Sequence, residues 1–115
     1  TQFILNLLRR GTTKWKGRSE CLRLARKRAL VRTGAKGQSV FKWHWQCATC
    51  GKWTPDVNQM EVDHIVEVGP YAGDLHEYAK RLFCGQDNLQ ALCISCHSRK
   101  TAAYQSARSR WQRKA

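Results

Sequence analysis

Residues 87–100 read Asp87-Asn88-Leu89-Gln90-Ala91-Leu92-Cys93-Ile94-Ser95-Cys96-His97-Ser98-Arg99-Lys100, and the fold turns on this stretch. Asp87–Leu92 leads into a short apolar strand. Cys93 and Cys96 stand three residues apart, and Ile94–Gln112 is helical in pattern. A strand therefore passes through a metal-binding turn straight into a helix. Upstream, Glu61–Val68 (EVDHIVEV) alternates as a strand does. Between the two, Gly69–Gly73 reads as a loop and Asp74–Phe83 as a helix with Asp74 at its cap. The order strand, excursion, strand, helix predicts a small α+β core.

Outward from that core lies a second cysteine pair, Cys47 and Cys50, followed by Gly51. Each CxxC puts two thiolates on one tight turn. Two such turns can share a tetrahedral four-sulfur shell, which suits Zn²⁺. Such a shell has no open position, so Cys47, Cys50, Cys93 and Cys96 are expected to staple the fold. The competing reading is four reduced thiols. Cys21 is expected as a small buried residue, and Cys84 is assigned no role.

The chain has 115 residues and a formal charge of +13. Residues 1–36 hold eleven basic side chains and one acid, residues 37–96 four basic and seven acidic, and residues 97–115 six basic and none acidic. Basic flanks around a mildly acidic centre point to a polyanionic partner. No run approaches the roughly 18–20 apolar residues of a membrane span, and Phe3–Leu8 is too short for a signal peptide. Thr1–Arg10 is expected as a docking helix ended by Gly11. Ser19–Arg32 is expected as an amphipathic helix capped by Ser19, with Cys21, Leu22, Ala25 and Ala29 inward and Arg23, Arg26 and Lys27 offered to phosphates. Thr33–Ser39 reads as a linker and Val40–Gln46 as extended. Packing is favoured over base stacking for Trp43 and Trp45, and no special role is expected for His44 or His76. The domain expectation is a basic helical DNA-binding extension at 1–36 and a zinc-bearing domain at 37–115.

Asp63-His64, Asn88 and His97, in that order and with the two CxxC pairs, make up a pattern that resembles the HNH endonuclease family, within the ββα-metal nucleases. The matching stretch runs from Cys47 to about Thr101, and the zinc-bearing subgroup has its second CxxC directly before the last His. The chemistry agrees with the resemblance. Asp63 supplies a hard oxygen and His97 a neutral nitrogen to one divalent ion, a sparse shell with room for water and phosphate. His64 is the expected general base, since imidazole titrates near neutrality. Neighbours on a regular strand face opposite ways, so Asp63 and His64 reach one phosphate only where the strand end twists. The resemblance implies that Asn88 ties the inter-strand loop and fixes the base, and that products carry 5′-phosphate and 3′-hydroxyl ends.

The expected cofactors are a structural Zn²⁺ and one catalytic ion, Mg²⁺ or Mn²⁺, with Zn²⁺ or Ni²⁺ as alternatives. The expected partner is DNA, double-stranded, with no membrane and no small-molecule cofactor. Lys100, three residues after His97, is expected as a phosphate clamp, with Arg99 a weaker DNA contact. By resemblance, a freestanding phage-type protein (homing or packaging-associated) acts in the cytoplasm of an infected or bacterial cell. The alternative is a noncatalytic zinc-stabilised module that binds nucleic acid. In that module Asp63-His64 is a structural pair and His97 a spare zinc ligand.

Overall fold

A computed structural model describes residues 1–114. Its centre is an antiparallel pair, β4 (Met60–His64) and β5 (Leu89–Cys93), in the register Met60↔Cys93 through Asp63↔Gln90 to His64↔Leu89. Both strands alternate, so one face offers Met60, Leu89 and Ala91 to a buried cluster that also takes Cys21 and Leu22. The other face carries Glu61, Asp63 and Leu92. Leu92 packs with Cys47 and Cys96. Helix α4 (Ile94–Lys114) follows β5 without a break. The α+β core with a four-cysteine cluster is therefore as expected from the sequence.

The excursion between the strands carries α3 (Leu75–Leu82). The Asp74 carboxylate caps it by accepting from the amides of His76 and Glu77 at 3.0 and 3.2 Å. Tyr78 and Leu82 of α3 bury against Leu5 of α1 (Gln2–Gly11). The first helix thus docks as anticipated, although Phe3, Ile4 and Leu7 stay exposed. Gly11 is the last residue of the helix, which ends there as expected, and a single 3₁₀ turn at Thr12–Lys14 follows.

The expected helix Ser19–Arg32 is corrected. Helix α2 spans Lys16–Leu24, with Trp15 and not Ser19 at its cap, and Arg26–Thr33 is a strand, β1. The period that links Cys21, Leu22 and Ala25 holds for two turns. Ala29 only coincides with it, since Ala29 faces Lys42 across a hairpin. Pairing with β2 (Ser39–Gln46), rich in aromatic side chains, outweighs the helix propensity of the arginines. Thr33–Ser39, expected as a linker, is the hairpin turn, closed by Gly34 N–H donating to Gln38 O at 2.6 Å and by Gly37 at φ +82°. Strands on either side of the 36/37 boundary therefore pair with each other, and residues 26–36 are not helical. A short β3 (Trp53–Thr54), absent from the sequence reading, joins this sheet through Trp45 and Gln46.

Strand β4 ends at His64, earlier than the expected Val68, because the chain bends at Ile65 and Val66. That bend starts the loop on which the site depends. No helix among the described residues is long and apolar enough to cross a membrane.

Candidate functional site

Two groups of polar side chains flank the β4–β5 ladder. The first comprises Cys47, Cys50, Cys93 and Cys96, whose sulfurs all lie within 4.8 Å of one another. Cys50 Sγ and Cys93 Sγ are 3.9 Å apart, close to the ~3.8 Å between sulfurs of a tetrahedral shell with Zn–S near 2.3 Å. The amides of Cys50 and Cys96 point at the first sulfur of their own pair, each at 3.5 Å. Burial resists ionisation of Cys47, yet the amides of Cys50, Cys93 and Thr49 hold its pKa down at about 6. Arg99 favours the Cys96 thiolate, but the neighbouring sulfurs and burial outweigh it and push Cys96 up to about 11. The shifts are opposite because amides stabilise the first thiolate, at Cys47, whereas Cys96 would add a charge beside sulfurs already crowded there. A dication removes that repulsion, so the donor set fits Zn²⁺.

The second group sits where β4 meets α4. Alternation sends Glu61 and Asp63 toward the helix, whose first turns carry His97 and Lys100. Asp63 is buried at 7% exposure. Its Oδ1 lies 3.5 Å from His97 Nε2. Its Oδ2 accepts from Gln90 Nε2 at 3.0 Å and from Lys100 Nζ at 2.6 Å. The other nitrogen of His97, Nδ1, meets Glu61 Oε2. Glu61 thus fixes the proton on Nδ1 and leaves the Nε2 lone pair facing Asp63. Two donors about 2.1 Å from a shared ion stand roughly 3.4 Å apart at a near-tetrahedral angle, so Asp63 Oδ1 and His97 Nε2 fit one cation between them.

The sequence suggested a phosphate clamp for Lys100, but the structure engages it inward. Its ammonium reaches Asp63 Oδ2, His64 O at 2.5 Å and Glu67 Oε1 at 3.0 Å. Partial burial lowers its pKa, but Asp63 and Glu67 outweigh that and keep it charged. Arg99 is also occupied, donating to Cys96 Sγ at 3.2 Å. Arg23 pairs with Glu20. Arg26 lies 4.0 Å over the Trp43 ring, and Lys27 is exposed on the hairpin's opposite side. Trp45 packs on the core as expected, whereas Trp43 is 42% exposed beneath Arg26.

His64 closes β4. Its Nε2 stands 2.7 Å from Leu82 O. A carbonyl only accepts, so this nitrogen carries the hydrogen and Nδ1 keeps the lone pair. No hydrogen bond among the described residues links its ring to Asp63 or His97. The connection runs through its own carbonyl to Lys100 and so to Asp63. Asn88 ties down the bend after His64: Oδ1 accepts from Val66 N–H at 2.8 Å, Nδ2 donates to Val66 O at 3.2 Å, and its carbonyl accepts from Ile65 N–H at 2.9 Å.

The sequence reading passed over Glu61, Glu67 and Gln90. Glu61 was findable, because residues two apart on a strand share a face. Gln90 depends on the Asp63↔Gln90 register, and Glu67 on a loop path, neither of which a sequence pattern carries.

Residues 47–103 match the family model of the HNH endonucleases. The chain belongs to the HNH family. A protein of Lactococcus phage SK1 named "Probable HNH endonuclease" is 40% identical over 58 residues, which cover 50% of this chain and 55% of that protein. The chain thus spans about half the length of this curated relative. No solved structure matches it. The HNH segment holds both groups of side chains, while α1, α2 and the β1–β2 hairpin lie outside it.

Proposed function

We propose that this HNH protein is a metal-dependent endonuclease that hydrolyses phosphodiester bonds in duplex DNA, leaving 5′-phosphate and 3′-hydroxyl ends. The observation that carries this reading is the 3.5 Å approach of Asp63 Oδ1 to His97 Nε2, with Glu61 orienting the imidazole. Asp63 and His97 would hold one divalent ion, Mg²⁺ or Mn²⁺, with Zn²⁺ or Ni²⁺ as substitutes. That ion supplies charge stabilisation at the phosphate and the departing oxygen. Cys47, Cys50, Cys93 and Cys96 would hold a structural Zn²⁺.

His64 takes a proton from the attacking water at Nδ1, while Leu82 O anchors Nε2–H. The water oxygen bonds to phosphorus, the P–O3′ bond breaks, and solvent protonates the 3′-oxygen. Asn88 holds the bend that sets the ring's position. Gln90 and Lys100 fix the Asp63 carboxylate so that Oδ1 faces His97. The basic β1–β2 hairpin, through Arg26 and Lys27, supplies sequence-independent attraction to the duplex.

One observation favours a second reading, a noncatalytic nucleic-acid-binding module: the Lys100 ammonium already balances Asp63, as in a purely structural ion pair. A plasmid assay across Mg²⁺, Mn²⁺, Zn²⁺ and Ni²⁺ separates the two. The wild-type protein nicks or cuts with at least one ion, and His64→Ala loses at least about a hundredfold in rate while retaining its melting temperature and duplex binding. Equal cleavage by both proteins removes His64 from the mechanism. No cleavage with any ion leaves the binding module.

A further inference from the structure

On the face of β4 turned away from Asp63, the His64 ring lines a cavity of about 230 Å³. Val62 and Leu82 give it an apolar floor, and Arg9, Thr12 and Arg18 from the first two helices stand at its polar side. Arg9 is held by one bond, Nε–H donating to the hydroxyl of buried Tyr78 at 2.9 Å. That bond aims the guanidinium and leaves both terminal nitrogens unpaired among the described residues. Arg18 has no carboxylate partner among them either, although Glu20 of the same helix is taken by Arg23. Two unneutralised cations beside an apolar floor repel each other. An anion between them relieves the repulsion, and a fork of N–H donors matches phosphate oxygens.

We infer that Arg9 and Arg18 form a clamp for a backbone phosphate of the cleaved strand, set against His64. This rests on the nuclease reading and deepens it. Asp63 and His97 face one side of β4 and the His64 ring the other, so a strand crossing the end of β4 must be gripped on both sides. The arginines provide the grip on the His64 side. Residues 1–18 are then part of the substrate site and not a detachable affinity arm.

The test adds inorganic phosphate, at ionic strength held constant with chloride, to the zinc-loaded protein without other divalent ions. NMR follows the His64 ring and the arginine Nε–H signals. The wild type shows saturable shifts at His64, Arg9 and Arg18, and Arg18→Gln and Arg9→Gln each weaken phosphate binding about tenfold or more. Should Arg9→Gln disturb Tyr78 and the fold, Arg18→Gln carries the test alone. In duplex cleavage the same variants lose about tenfold or more in kcat/KM. Non-saturable shifts in the wild type, or unchanged phosphate affinity in Arg18→Gln, overturn the clamp. A wild type that binds phosphate at His64 yet fails to cleave DNA with any of the divalent ions sinks the nuclease reading instead, so the two failures are distinguishable.

Discussion

The four-cysteine cluster and the Asp63–His97 pair are built along one five-residue ladder, yet they solve opposite problems. At the Met60↔Cys93 end, four donors of one kind close on each other, with Cys47 and Cys96 buried. At the His64↔Leu89 end, two unlike donors face each other, and the other contacts of Asp63 and His97 are with Gln90, Lys100 and Glu61. Donor count decides the role. A filled shell can only hold the chain together, whereas a two-donor shell leaves positions where phosphate and water exchange. The two are mechanically joined, because His97 directly follows Cys96 on the first turn of α4.

The sharpest way to break this contrast is at the closed end. Cys93→Ser removes one of four thiolates. Structural zinc contributes on the order of 10 kcal/mol of apparent folding free energy, comparable with the whole stability of a small domain, about 5–15 kcal/mol. The expected result is loss of the cooperative thermal transition together with loss of bound zinc. A variant that melts as the wild type does would show that the cluster is not the staple. The cluster's pH response has a definite sign. Cys47, at about 6, is ready to bind below neutrality, whereas Cys96, at about 11, must surrender a proton to the incoming metal. Zinc uptake by the apoprotein therefore releases protons and strengthens as pH rises.

The open end is more forgiving in fold and less so in chemistry. Glu61→Gln keeps the shape of the side chain that meets His97 Nδ1 but removes its charge. Carboxylates behind a ligating imidazole typically carry 10–100-fold in metal affinity or activity. The expected result is a rightward shift of that size in the Mn²⁺ dependence of cleavage, rescued at saturating metal, with an unchanged melting temperature. A loss of rate that saturating metal does not recover would move Glu61 from orienting His97 to a direct part in the reaction.

What the sequence made legible follows the same division. Cysteine spacing, the Asp63-His64 step and His97 are local signals. The cysteines and the Asp63–His97 pair assemble into two compact groups, while the His64 ring turns to the other face of β4. Local spacing also served α3, whose Asp74 cap was readable from its residue type and the helical pattern behind it. It failed where pairing decided the outcome. Arg26–Thr33 carries helix-compatible residues, and only the partner strand Val40–Gln46, across a turn that resembled a linker, makes it a strand. Side-chain partnership was the other blind spot. Lys100 read as a phosphate clamp and Arg99 as a weaker DNA contact because sequence shows charge but not what stands opposite it. Both point inward, Arg99 to a sulfur and Lys100 to three oxygens.

Arg99 provides the finest test, because it stands behind the closed centre as Glu61 stands behind the open one. Its guanidinium donates to Cys96 Sγ and favours the thiolate there. Arg99→Met removes that donor. Four sulfurs remain, so zinc stays at one equivalent and the melting temperature falls by a few degrees at most, as suits an exposed charged contact. The change should appear on acidification. Without Arg99 the Cys96 sulfur is the stronger base, protons compete with zinc sooner, and zinc release moves to higher pH. Duplex affinity should hold, since the guanidinium is engaged by the Cys96 sulfur. If Arg99→Met instead weakens duplex binding and leaves the zinc-release profile in place, the residue belongs to the DNA surface, and the parallel between the two centres stops at their first ring of ligands.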